Sequence, residues 1–96
     1  MSLEQSYKTI DIERRGYGRR YTWLPVDSLT RDAFMIDLQG AYTTPAMIDI
    51  RTDDVVRWRE GERYIEGRVG EVIREPARVI GQILDAKPLP PESFFP

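Results

Sequence analysis

The chain has 96 residues, 41% of them hydrophobic and 31% charged, with a formal net charge of −2. That is the balance of one small globular domain; disorder requires fewer apolar residues and more net charge. Cysteine and histidine are both absent, which excludes disulfides, thiol nucleophiles, cysteine-held clusters, and the commonest metal ligand and neutral-pH general base.

No basic stretch followed by an apolar run opens the sequence, and no window approaches the ~18–20 apolar residues of a membrane-spanning helix. The expectation is a cytoplasmic protein with no membrane partner. Residues 1–96 read as a single domain, with 87–96 as a proline-rich tail.

Residues 7–14 alternate, with Ile10 and Ile12 on the inward side of a period-two strand. Gly16-Tyr17-Gly18 reads as a turn, because glycine supplies the positive φ values that tight turns need. The chain then returns as a strand from Arg19 to Pro25, completing a hairpin. Residues 26–32 are polar and turn-like. Phe34, Ile36 and Leu38 alternate with polar partners over 33–39, which predicts a strand with one buried face. A loop over 40–45 leads to a further predicted strand over 46–51, with Ala46, Ile48 and Ile50 inward. Residues 55–58 form a short, partly apolar run before a charged turn around Gly61.

Over 69–84 the apolar residues recur at helical spacings of three and four. Gly67, Gly70 and Gly81 oppose a helix, as do the many β-branched residues, whereas Pro76 suits a helix first turn. The expectation is a helix over 76–86, preceded by strand or turn. The fold class expected is therefore α+β: a small antiparallel sheet covered by one C-terminal helix, with a small all-β barrel as the alternative. The expected core is Ile10, Ile12, Phe34, Ile36, Leu38, Ile48, Ile50, Val72, Ile80, Ile83 and Leu84.

The most distinctive segment runs from Arg14 to Tyr21, where arginines flank a glycine turn interleaved with tyrosines. Arg14, Arg15, Tyr17, Arg19 and Arg20 are the candidate contacts for an anion or a nucleic acid: guanidinium meets phosphate and tyrosine stacks on bases. Asp37, Asp49, Asp53 and Asp54 could converge if their strands are neighbours, as paired acids do in hard-cation or acid–base sites. Phe94 and Phe95 in the tail, together with Trp58, are the candidate interface residues. No catalytic residue, metal site or cofactor is expected. The leading reading is a non-enzymatic interaction module that pairs with itself or with another protein. A nucleic-acid-binding module using the arginine/tyrosine hairpin is the second reading, and a small-ligand binder the third.

Overall fold

The computed structural model describes residues 8–90. They form seven strands: β1 (Lys8–Arg14), β2 (Gly18–Val26), β3 (Ser28–Leu29), β4 (Ala33–Asp37), β5 (Val55–Glu60), β6 (Arg63–Glu75) and β7 (Arg78–Pro88). A single 3-10 turn, Pro45–Met47, is the only helical element among the described residues. All neighbouring strands pair antiparallel, in the order β2-β1-β5-β6-β7-β4-β3. The all-β alternative describes this fold and the expected C-terminal helix does not.

Residues 78–88 are a strand because every second side chain faces the core. Val79 and Ile83 are buried, and Gly81 between them holds an inward position with no side chain. Phe34 pairs with Gly81 across β4 and β7, and a Cβ built on Gly81 would stand 2.2 Å from the Phe34 Cζ. The phenyl ring thus fills the space of the missing side chain. Pro76 sits in the two-residue turn that closes Glu75 onto Arg78, where its fixed φ fits a tight turn as well as a helix start.

Bulges curl the sheet into a half-barrel. One opposes Val69–Val72 of β6 to Ile83–Gly81 of β7, and another accommodates Asp85, whose φ is +58°. β2 carries two more irregularities against β1. Each extra residue bends its strand and increases the local twist. The edge strands β2 and β3 are separated in the chain by Asp27 alone, whose N–H donates to the Met35 carbonyl at 2.8 Å. The two sheet edges therefore meet at this corner.

The core comprises Ile10, Ile12, Val26, Phe34, Ile36, Ile48, Ile50, Val56, Trp58, Ile65, Val69, Val79 and Ile83, with Leu38 and Val72 packed against it. Ile80 and Leu84, expected inside, are only half-buried. The strand expected over 46–51 is absent. Its alternation is real at Ile48 and Ile50, but the backbone has no neighbouring strand. The Arg74 guanidinium takes that place, donating to the carbonyls of Pro45, Ile48 and Ile50 at 3.1, 2.9 and 3.0 Å. A single side chain thereby satisfies three acceptors that a ladder would otherwise pair.

Candidate anion site on the β1–β2 hairpin

The turn between β1 and β2 is formed by residues 15–17 and closed by the Tyr17 N–H donating to the Arg14 carbonyl at 2.9 Å. Gly16 and Gly18 have φ of +81° and +90°, values that a side chain at either position would resist. Arg15, Tyr17, Arg19 and Arg20 are exposed at this tip, Tyr17 to 76%. Arg19 stands 3.8 Å from Asp11 and donates to the Thr22 hydroxyl at 3.1 Å. Arg15 makes no ion pair with the described residues.

Arg14 differs from the other four. Its guanidinium turns inward and forms a fork on Asp54, with Nε to Oδ1 and Nη2 to Oδ2 both at 3.0 Å. Its remaining donors reach the Asp49 carboxylate at 3.1 and 3.2 Å and the Asp49 carbonyl at 3.3 Å. Asp54 is 2% exposed and also accepts the Arg51 N–H at 2.9 Å. Hydrogen bonds first to Asp54 and then to Asp49 raise the Arg14 pKa further above its ordinary value. With its donors committed, Arg14 is a clamp that ties the end of β1 to the segment entering β5.

The Asp49 carboxylate has three cations within 4 Å. Besides Arg14, Arg20 Nη1 stands 3.7 Å from Oδ2 and Arg51 Nε 3.6 Å from Oδ1. Neither of these two distances is a hydrogen bond. The Asp49 carboxyl is held below its ordinary pKa, chiefly by the hydrogen bonds from Arg14. The segment is fixed from the β2 side too, because the Asp49 N–H donates to the Tyr21 hydroxyl at 2.8 Å. Three guanidinium groups and two carboxylates thus meet at the base of the hairpin, with Arg15 on its tip. Arg20 and Arg51 keep donors in reach of solvent; the Arg51 side chain is 71% exposed.

Of the four aspartates expected to converge, Asp49 and Asp54 do so, on Arg14 rather than around a cation. Asp37 lies far along the sheet in a shallow groove with Glu75 and Arg78, and Asp53 pairs with Arg68. No cluster of three or more metal-ligating side chains occurs among the described residues. No helix there is long and apolar enough to cross a membrane.

A second surface feature centres on Trp23. Trp23 is 75% exposed and has a φ of +56° at a bulge of β2, where its N–H donates to Asp11 Oδ1 at 2.8 Å. A bulky residue in the left-handed region carries strain of about 1–3 kcal/mol. Trp23 borders a groove of about 230 Å³, lined with Thr9, Asp11, Arg57, Trp58, Arg59 and Tyr64. The Arg59 guanidinium lies 5.9 Å from the centroid of the Tyr64 ring, within cation–π range. Arg57 is engaged by Glu13 and Glu66 at 2.8 and 3.3 Å. Trp58, a candidate interface residue, belongs to the core at 4% exposure. Phe94 and Phe95, the other two, lie outside the described residues. No family model, curated protein or solved structure matches the chain.

Proposed function

We propose that this domain is a nucleic-acid-binding module in which the β1–β2 hairpin takes the phosphate backbone of a single strand. The observation that carries the reading is the crowding of Arg14, Arg20 and Arg51 on the one Asp49 carboxylate. Arg14 takes most of the Asp49 and Asp54 acceptors, and Arg20, which also donates to the Tyr17 carbonyl at 3.3 Å, and Arg51 stand beyond hydrogen-bond reach of Asp49. A phosphate oxygen supplies an acceptor for their remaining donors. Tyr17, on the same turn, offers an exposed ring for a base. The overall charge of −2 makes the attraction local rather than global.

Self-association through the sheet edges has weaker support. β2 is interrupted by two irregularities and carries Pro25, and β3 is two residues long. Edges blunted in this way resist pairing with another chain.

The test is anisotropy of a labelled single-stranded oligonucleotide, titrated at several salt concentrations. Two or three phosphates neutralised predict a slope of log K against log salt of roughly −1.4 to −2.1. Replacing Arg20 and Arg51 by alanine should reduce both affinity and slope. Absence of binding to single-stranded DNA and RNA at low salt would refute the reading.

A further inference from the structure

The hairpin takes up left-handed backbone in two ways. At the turn the positive φ values belong to Gly16 and Gly18, which adopt them without steric cost. Farther along β2, at the bulge, the left-handed residue is Trp23 at +56°, with its side chain 75% exposed. A glycine or an asparagine would hold that backbone with less strain. Burial of the ring does not offset the strain, and strain held in this way clusters where a side chain meets a ligand.

The surroundings of Trp23 narrow the class of ligand. Asp11 accepts the Trp23 N–H on Oδ1 at 2.8 Å, and its Oδ2 stands 3.8 Å from Arg19 Nη1. One carboxylate thus lies against both the arginine hairpin and the groove beside Trp23, so the two surfaces are continuous. Tyr17 on the turn and Trp23 are six residues apart in the chain, at most roughly 20 Å at about 3.4 Å per residue. About six nucleotides spaced at about 3.4 Å cover the same length.

The groove suits a base better than a phosphate. Asp11 repels a phosphate, whereas its carboxylate accepts from the amino group of a base. Arg57 is already held by Glu13 and Glu66. Arg59 makes no ion pair with the described residues and lies over the Tyr64 ring. Aromatic rings and guanidinium planes are the surfaces on which unpaired bases stack.

We infer that Trp23 is a second base-stacking position, taking a base of the same single-stranded nucleic acid whose phosphates lie on the hairpin. The inference rests on the nucleic-acid reading above, and its test separates the two. The probe is a labelled single-stranded DNA of about 12 nucleotides and mixed sequence, titrated by anisotropy against the full chain and its W23N and W23F variants. Stacking predicts that W23N lowers affinity about 5- to 150-fold. The salt slope should stay unchanged, because no phosphate contact is lost. W23N should melt no lower than the parent, since asparagine tolerates the left-handed backbone. W23F keeps a ring and should bind within a few-fold of the parent. Added oligonucleotide should quench tryptophan emission in the parent but not in W23F, whose remaining Trp58 is buried. If W23N binds as tightly as the parent while R20A/R51A weakens binding, this inference alone is overturned. If W23N weakens binding while R20A/R51A changes neither affinity nor slope, Trp23 stands and the hairpin contact falls. Absence of binding at low salt would overturn both.

Discussion

Replacing Arg14 by methionine removes the charge from the clamp while keeping much of the side-chain length. Arg14 holds Asp54 by two hydrogen bonds at 3.0 Å, and the two side chains are 13% and 2% exposed. Removing the cation strands a carboxylate that retains only the Arg51 N–H. Breaking a buried pair in this way costs about 3–5 kcal/mol, because the remaining charge is neither solvated nor paired. At about 4–8 °C per kcal/mol for a domain of this size, the melting temperature should fall by roughly 12–40 °C. Adding D54N to R14M should recover some of the loss, since no lone buried charge then remains and the amide oxygen can still accept from Arg51. The assay is thermal or urea denaturation of R14M, D54N and the double variant alongside the parent. If R14M melts within a few degrees of the parent, the clamp is not structural. If it also loses oligonucleotide affinity, Arg14 is a phosphate contact after all.

Arg20→Ala and Arg51→Ala, on the same carboxylate but more exposed, should behave the opposite way: melting within about 0.5 kcal/mol of the parent, with binding weakened and less salt-dependent. Gly81→Ala should destabilise by about 1–3 kcal/mol through its clash with the Phe34 ring, measured by urea denaturation; adding Phe34→Leu should cost less than the two changes summed. Asp49 gives a pH dependence whose sign follows from its depressed pKa. Its contribution is complete above the ordinary aspartate pKa of about 3.9 and is lost as pH falls through the lower folded-state value. D49N should therefore melt lower at neutral pH and show a flatter acid limb in a series of melts.

β1 and the strand over Phe34 and Ile36 were legible because each keeps one apolar face in strict alternation, and the hairpin because a glycine turn follows β1. β7 was not, because its central inward position is Gly81. The alternation of Val79 and Ile83 shows a gap there, and the outward Ile80 and Leu84 then mimic helical spacing. β5 reads as a short apolar run because Arg57 and Arg59 flank the buried Trp58, so its inward stripe is thin. Ile48 and Ile50 were correctly placed inside but in the wrong element; no local signal announces that Arg74, more than twenty residues on, replaces a strand. The same holds at the candidate site. Composition marks the arginine hairpin, but Arg14 is distinguished from Arg15 only by partners 35 and 40 residues away. Whether Trp23 points in or out was not legible, because the bulge and the positive φ there interrupt the alternation of β2.

The sheet order has a consequence for how the molecule opens. β1 and β7, the first and last strands among the described residues, both lie inside the sheet, flanked by β2 and β5 and by β6 and β4. The edges are made from the middle of the chain. Fraying from either terminus therefore cannot peel away an outer strand; it must break the ladders on both sides of an inner one. Amide hydrogens of the terminal strands, usually the first to exchange, should here be protected nearly to the limit of global unfolding. A force applied through either end of the chain would likewise load the interior of the sheet before its rim.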